Sequence, residues 1–371
     1  MKEKKKKQST GRAYFDYTLL FLVLFMVAFG IVMLYSTSYH YAEVHFHDGT
    51  YYLKLQLRNV AIGLVAMIIT TFIPYTFYKK LAPWIYMGSL GLCTAVIFIG
   101  QTINNSKRWL KVGPFSFQPS ETAKIAVIIF LAFVISKASK QVGRLSTVLK
   151  LIGITLPLAG LVAINNLSTA IIIVLIGMII VFVSSPRYIH FAVPIGVAVA
   201  AAGAFVMVAG YRFNRIRYWL HPELLDAGSQ TIQGLYAIGA GGWFGKGLGE
   251  SLQKMGSLPE AQNDMIFSVV CEELGVVGAL CVILAFILLL WRFWFIATNA
   301  PDLFGSLMVV GIMGHIAVQV VLNIAVVTNS IPNTGVTLPF ISYGGTAIIF
   351  LLAEMGIALS VSRGIKLQNV E

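Results

Sequence analysis

Carboxylic acids at the edges of apolar stretches are the residues of this chain best placed to do chemistry. Asp264 ends the polar segment 257–264 and is followed directly by a long apolar run. A carboxylate that is partly removed from water has a raised pKa and can act as a general base near neutral pH. Capping of the following helix is the structural alternative for an Asp at this position. Glu260 is a weaker candidate for a base, because we expect it to stay solvated.

Further acids fall inside or at the ends of apolar runs. Glu121 and Lys124 would share one face of a helix at i and i+3, close enough to pair, either as a structural ion pair or as a contact for substrate. Glu272, Glu273 and Glu354 are also placed in apolar stretches, where a carboxylate is costly and therefore indicates a function. For Glu272 and Glu273 the sequence does not choose between packing contacts and a path for protons.

Basic residues beside aromatic side chains are candidates for binding phosphate groups. Arginine presents two donors that match phosphate oxygens, although anchoring at the membrane interface explains the same pattern. The residues that we predict to contact an anionic substrate are Lys107, Arg108, Trp109, Lys111, Arg212, Arg215, Arg217 and Lys246.

The glycine-rich segment 239–249 looks like a nucleotide-binding loop but does not meet its pattern. A phosphate-binding P-loop needs a Gly five residues before its Gly-Lys pair and a Ser or Thr after it, where this chain has Ala240 and Gly247. We expect instead a tightly turning segment at the membrane surface, whose backbone approaches a bulky ligand.

The segment 332–346 is too broken by Pro and Gly to be a helix and too apolar to be a solvated loop. Irregular backbone at membrane depth is tolerated only where it is buried in protein or lines a cavity. We therefore predict a re-entrant segment that lines a cavity.

The elements that must position these groups are membrane helices. The 371 residues are 57% hydrophobic and only 11% charged, which excludes a soluble enzyme and a disulfide-stapled secreted domain. The fold class that we predict is an all-α polytopic membrane protein with ten crossings. They lie near 14–36, 57–74, 84–101, 121–136, 147–164, 168–184, 188–209, 265–291, 304–328 and 345–362.

The cations behind the net charge of +12 are dispersed between apolar runs instead of forming the basic face of a nucleic-acid site. Their excess in the short loops of one side predicts the orientation, because Lys and Arg favour the cytoplasmic side. The N-terminus and the C-terminus are both predicted to be cytoplasmic. Residues 1–13 then form a basic tail, 14–362 a single ten-helix domain, and 363–371 a cytoplasmic C-terminal tail. The polar segments, above all the large loop 210–264 between the seventh and eighth helices, lie outside.

Several long motifs, in this order, resemble the SEDS family of shape, elongation, division and sporulation proteins, and the wording of 332–340 is closer to the FtsW and SpoVE branch than to RodA. The resemblance implies a peptidoglycan glycosyltransferase that polymerises lipid II on the outer face of the bacterial cytoplasmic membrane. It also implies a class B penicillin-binding protein and other division or elongation proteins as partners. The matching segments are 107–110, 115–124, 237–249, 258–267, 272–275 and 332–346.

Carried over to this sequence, the resemblance implies that Asp264 is the family's essential aspartate and that Glu121 and Lys124 are its functional Glu and Lys. The chain departs from the family at Asn165 and Asn166, where many members have an acid. Any role of that position in metal or substrate contact is therefore not carried over.

The mechanism that we expect is inverting glycosyl transfer, with Asp264 removing the proton from the acceptor hydroxyl. The charge of the leaving pyrophosphate is compensated either by the basic residues or by a Mg²⁺ or Mn²⁺ ion, and few outer carboxylates are available for a full protein metal cage. Two alternatives remain: a flippase of the lipid-linked precursor, which the short inner loops disfavour, and a scaffold that recruits a transpeptidase.

Overall fold

The computed structural model describes residues 14–103, 106–113, 115–138, 143–194, 196, 219–222, 229–255 and 258–366. Most of these residues are helical, because a helix satisfies its own backbone polar groups where no water is present. The helices are α1 (Tyr17–Phe46), α2 (Tyr51–Phe72), α3 (Tyr75–Ile99), α4 (Pro119–Lys137), α5 (Leu145–Ala163), α6 (Leu167–Ser184), α7 (Ser229–Ala240), α8 (Ile266–Asn299), α9 (Leu303–Val327) and α10 (Ala347–Arg363).

The predicted polytopic fold is confirmed, with eight helices, α1 to α6, α8 and α9, long and apolar enough to cross a membrane. Helix α10, of 17 residues, covers the last predicted crossing. The predicted crossing at 188–209 lies mostly outside the described residues, and its described start contains a short 3-10 helix, Tyr188–Phe191. The predicted loop 210–264 contains helix α7.

A small antiparallel sheet between α3 and α4 was not predicted. Its strands are β1 (Gln101–Ile103), β2 (Ser106–Val112) and β3 (Phe115–Phe117), with β2 in the middle. Leu110 on β2 is buried, so the sheet packs against the bundle instead of extending freely into solvent. The sheet gives a fixed geometry to the basic residues of β2.

The two ends of the described chain lie on the same side of the bundle, as the even number of predicted crossings requires. The Tyr14 N–H donates to the carbonyl of Ile365 at 3.1 Å. Asp16 caps α1 by accepting from the Leu19 N–H, and its buried carboxylate pairs with Arg292 of α8 at 2.6 Å. Helix α4 lies at the centre of the bundle. In its most apolar stretch 67% of the residues are buried, compared with 28% in that of α3.

Helix α8 is broken at Gly275, whose φ of 68° and ψ of −168° are not helical. The break frees backbone groups of α8 at membrane depth, where each must find another partner. The carbonyls of Glu272 and Glu273 accept from the N–H groups of Lys246 and Gly247 at 2.9 and 3.0 Å.

The backbone N–H groups that follow the break form hydrogen bonds with the same segment of chain. The N–H groups of Val276 and Val277 donate to the carbonyls of Gly242 and Trp243 at 2.9 and 3.1 Å. The segment 241–247 thus replaces the helical partners that α8 loses at Gly275, and it is fastened to α8 on both sides of the break.

Glycine is required at this contact by both conformation and space. Gly245 has a φ of 81°, and a Cβ there would overlap the carbonyl of Glu273. A Cβ at Gly275 would overlap the backbone of Gly245, and one at Gly241 would overlap the carbonyl of Cys271. The glycine-rich motif therefore brings backbone against α8, a contact that the sequence did not predict, and its approach to a ligand stays a prediction.

We predict that Gly245→Ala lowers the free energy of unfolding by about 3 kcal/mol or more, because it adds backbone strain and a clash that cannot relax by side-chain rotation. Thermal unfolding of the purified protein in detergent measures the loss. The matched control is Gly88→Ala in α3, where a Cβ meets no heavy atom of the described residues within 4 Å. Equal stability of the two variants would contradict the proposed contact.

Candidate functional site

Asp264 is buried at the outer mouth of the bundle, with 6% of its surface exposed. The N-cap position of α8 is Met265, which makes no side-chain cap bond, so Asp264 is not the cap of this helix. The Asp264 carbonyl accepts from Asn323 of α9 at 2.7 Å, and its Oδ1 lies 3.4 Å from Nε2 of Gln230 on α7. Two other helices thus hold the residue at the start of α8.

The pKa of the Asp264 carboxyl is raised to about 7, mainly by burial. A hydrogen bond from its own backbone N–H lowers this pKa, and the negative charge of Glu260 contributes to the rise. Among the described residues, no cation lies within salt-bridge distance of this carboxylate. A carboxylate with these properties exchanges its proton near neutral pH, as a general base must.

The segment 332–346 is non-helical and lies beside Asp264. Asn323 Nδ2 donates to the carbonyl of Val336 at 2.8 Å as well as to that of Asp264. The Asp264 carboxylate also borders Gly335, where a Cβ would lie 3.9 Å from Oδ2. Phe340 and Ile341 of this segment are buried. The predicted irregular segment is confirmed.

Glu121 and Lys124 form the predicted ion pair on α4, with 2.9 Å between Glu121 Oε2 and Lys124 Nζ. Both side chains are buried, and Lys124 Nζ lies 3.5 Å from Oε1 of Gln319 on α9. Glu121 lines a cavity of ≈ 30 Å³ together with Thr337 and Ser342 of the re-entrant segment. The pair and Asp264 therefore both lie beside the same segment of chain.

Strand β2 carries four of the predicted substrate contacts, Lys107, Arg108, Trp109 and Lys111. Lys107 and Lys111 are exposed, and Arg108 Nε donates to the carbonyl of Asn165 at 2.9 Å. The Trp109 ring lies against the re-entrant segment, where a Cβ at Gly345 would be 3.6 Å from its edge.

Asn165 and Asn166, where the chain departs from the family that it resembles, lie beside this basic strand. Lys107 and Arg108 line a cavity of ≈ 20 Å³ together with Ser120, Asn165 and Asn166. The corner between α5 and α6 thus presents amides, and no carboxylate, to the two basic side chains.

The remaining basic residues that we predict to contact substrate are Lys246 and three arginines. Lys246 Nζ lies 2.7 Å from Oε1 of Glu272 and is partly exposed, so it is already engaged by α8. Arg212, Arg215 and Arg217 lie outside the described residues. Their role as substrate contacts stays a prediction, as does that of Lys246.

Glu272 and Glu273 are contacts for the outer segment. Glu272 accepts from Lys246, from the Ser251 hydroxyl and from the Leu252 N–H. Glu273 pairs with Lys254 at 2.5 Å, and both of these side chains are almost fully buried. The two acids fasten the segment 241–255 to α8 by side chains, in addition to the backbone bonds at Gly275.

Sequence reasoning missed a polar face of α9. His315, Gln319 and Asn323 are spaced by four residues, which places them on one side of the helix. They extend from the centre of α9 to the carbonyl of Asp264, and His315 pairs with Glu354 of α10 at 2.8 Å. Polar residues inside the apolar run 304–328 were the available signal.

Comparison with known proteins adds to this geometry. The sequence profile of the FtsW, RodA and SpoVE family, described as cell cycle proteins, matches residues 17–367. Stage V sporulation protein E of Bacillus subtilis is 38% identical over 354 residues, which cover 94% of this chain and 97% of that protein. A probable peptidoglycan glycosyltransferase FtsW of Trichlorobacter lovleyi is 38% identical over 361 residues, covering 96% of this chain and 95% of the relative.

Solved structures show the same fold. A chain of a peptidoglycan synthase complex, studied for its coordination of polymerization and crosslinking, matches with a TM-score of 0.82 and 29% identity over 94% of this chain and 98% of that chain. The crystal structure of the rod shape determining protein RodA of Thermus thermophilus matches with a TM-score of 0.70 and 28% identity, covering 95% of this chain and 98% of that one.

The two acid contacts on α8 predict different costs of substitution. Glu273→Gln leaves Lys254 as a buried, unpaired cation and should lower the free energy of unfolding by about 3–5 kcal/mol. Glu272→Gln should cost less, about 1–3 kcal/mol, because Lys246 is partly exposed and can turn to water. Chemical or thermal unfolding in detergent ranks the two variants, and the reverse order would show that the pairs are arranged differently.

Proposed function

This chain belongs to the FtsW, RodA and SpoVE family of cell cycle proteins, and from that premise we propose that it polymerises lipid II with Asp264 as general base. The protein is a peptidoglycan glycosyltransferase and a multi-pass protein of the bacterial cytoplasmic membrane. The reaction supplies glycan strands for the cell wall, in cell division or a related programme. The observation that carries the proposal is a buried carboxylate without a cationic partner among the described residues, held at the outer mouth of the bundle.

In the proposed step, Asp264 takes the proton of the acceptor sugar hydroxyl. The oxygen attacks the anomeric carbon of the donor from the side opposite its pyrophosphate, and the new glycosidic bond forms with inversion. The bond from the anomeric carbon to the phosphate oxygen breaks, and undecaprenyl pyrophosphate leaves with the electron pair. General base catalysis of this kind contributes about 10²- to 10⁴-fold in rate.

The leaving pyrophosphate needs positive charge around it, since negative charge develops there in the transition state. We propose Lys107, Arg108 and Lys111 of β2 for this role, with Trp109 fixing the strand against the re-entrant segment. Lys124 is proposed as a contact from below, since it lies next to the cavity that the same segment lines. Arg212, Arg215, Arg217 and Lys246 complete the proposed set.

A Mg²⁺ or Mn²⁺ ion remains the second proposal for charge compensation. Within the described part of the chain, no three His, Cys, Asp or Glu residues come together as a metal site. Asp264 is the carboxylate that would touch an ion carried by the pyrophosphate, whose own oxygens would supply most ligands. Such an ion neutralises charge on the leaving group.

A transpeptidase is the partner that we propose, of the class B penicillin-binding proteins. The support is the match to a chain of a complex that coordinates polymerization with crosslinking. Glycan strands made by this chain would be the substrate for the crosslinking reaction.

We predict that Asp264→Asn loses about 100-fold or more of the polymerising activity, because the amide keeps the shape of the side chain but cannot accept the proton. The measurement is gel separation of glycan strands made from lipid II by the purified protein, with and without its transpeptidase and with a chelator. Loss of product on chelation would support the ion over the basic residues.

The control for this variant is Asp48→Asn, which changes an outer acid that pairs with Lys54. It should polymerise normally. Glycan synthesis by Asp264→Asn would disprove the role of the carboxylate, whereas flipping of lipid II in proteoliposomes without any glycan product would favour a transporter.

The pH dependence follows from the raised pKa of Asp264. The base must be ionised, so kcat/KM should rise with pH to a plateau, with a midpoint near the value of about 7. Glu260→Gln removes a negative charge that raises this pKa and should move the midpoint to lower pH. Because the folded state holds the proton more tightly than the unfolded chain, stability should fall as pH rises from about 4 to about 7. A flat rate profile over this range would contradict the assignment.

A further inference from the structure

Two buried ion pairs face one cavity inside the bundle. Glu121 and Lys124 of α4 lie 2.9 Å apart, and His315 Nδ1 lies 2.8 Å from Oε2 of Glu354 on α10. Glu121 and His315 both line the cavity of ≈ 30 Å³, whose remaining wall comes from Gln319, the re-entrant segment and α10. His315 is at the midpoint of α9, so the cavity reaches the depth of the membrane interior.

His315 is the partner of the Glu354 carboxylate, as Lys124 is the partner of Glu121. Helix α6 and the segment 332–346 contain no Asp, Glu, Lys, Arg or His. On α8, Glu272 and Glu273 are held by the lysines of the outer segment. An unpaired carboxylate is expensive in a membrane interior, so each of the two acids beside this cavity depends on its partner.

The second ring nitrogen of His315 needs a hydrogen-bond partner of its own. Nε2 is buried and has no such partner among the described residues, while 98% of the residue surface is covered. An unsatisfied polar group in an apolar interior is costly. A cavity of ≈ 30 Å³ has room for one or two waters, since each needs about 10–15 Å³.

We propose that this cavity is a water-binding site that joins the two ion pairs into one hydrogen-bonded network. The bound water forms a hydrogen bond with Nε2 of His315 and donates another to the carboxylate of Glu121. A water bridge of this kind is nearly as strong as a direct bond. Glu121 is thereby held from two sides, by Lys124 and by the water on His315.

His315 and Glu354 are then positioning residues for Lys124. The Lys124 ammonium has one close partner, Glu121, and a distant one, Gln319 Oε1 at 3.5 Å. The orientation of the ammonium therefore depends on where the Glu121 carboxylate is fixed. This part of the inference rests on the proposed function, in which Lys124 contacts the substrate; the water bridge itself does not.

The water bridge is tested without any activity. In full-length protein labelled with ¹⁵N-histidine in nanodiscs, the ring-nitrogen resonances of His315 are assigned by their loss in His315→Gln. Glu121→Gln should shift the Nε2 resonance of that histidine, because it changes the acceptor of the bound water. Asp16→Asn, which breaks a buried ion pair at the other end of the bundle, should leave it in place. A resonance that Glu121→Gln does not move overturns the bridge.

The positioning role is tested by kinetics on lipid II. His315→Gln and Glu354→Gln should each lower kcat/KM by about tenfold to a hundredfold, the effect of a displaced catalytic-site group. Asp16→Asn is the matched control, since it also breaks a buried pair with a basic residue, and it should keep kcat/KM within about twofold.

A double variant separates positioning from stability. His315→Gln combined with Glu354→Gln removes both ionisable groups of the pair and should recover part of the thermal stability lost by either single change, with kcat/KM still low. Normal kcat/KM in the single variants overturns the positioning role, as does an equal loss in Asp16→Asn. If the unmodified protein made no glycan, the proposed function would fail, and the ¹⁵N experiment would still decide the bridge.

Discussion

The need to satisfy every backbone polar group without water governs the architecture of this protein. Helix α8 meets that need in an unusual way, because it breaks at Gly275 and takes its missing partners from the segment 241–247. The outer segment is therefore bonded to a membrane helix by its backbone. It returns at 258–264 to the start of the same helix, where Asp264 lies between Asn323 of α9 and Gln230 of α7.

The same constraint applies to charged side chains. The buried acids Asp16, Glu121, Glu272, Glu273 and Glu354 each have a basic partner within 3 Å. Asp264 is different, because no cation among the described residues lies within salt-bridge distance of it. Pairing lowers the proton affinity of a carboxylate, whereas burial without a partner raises it. A membrane protein that pairs its structural acids thus leaves one carboxylate able to exchange a proton near neutral pH.

The sequence revealed features whose cause is local. The apolar runs predicted the helices, the spacing of Glu121 and Lys124 predicted their pair, and Pro and Gly predicted the irregular segment 332–346. It did not reveal contacts between distant parts of the chain. Lys254 meets an acid 19 residues away, and His315 meets one 39 residues away, while the break at Gly275 depends on a segment 30 residues earlier. No periodicity encodes such partners, so the contact of the glycine motif with α8 could not be predicted.

The re-entrant segment lies beside both parts of the proposed site, the base for the sugar hydroxyl and the basic strand for the pyrophosphate. Asp264 borders it at Gly335, and Trp109 of the basic strand borders it at Gly345. Ten residues of chain span at most about 35 Å and less where they turn, as they do here. The proposed base and the basic strand are therefore both positioned against one short stretch of backbone, and not against separate helices. Since both contacts occur at glycines with positive φ, the spacing between the two parts of the site depends on backbone conformation that other residues rarely adopt.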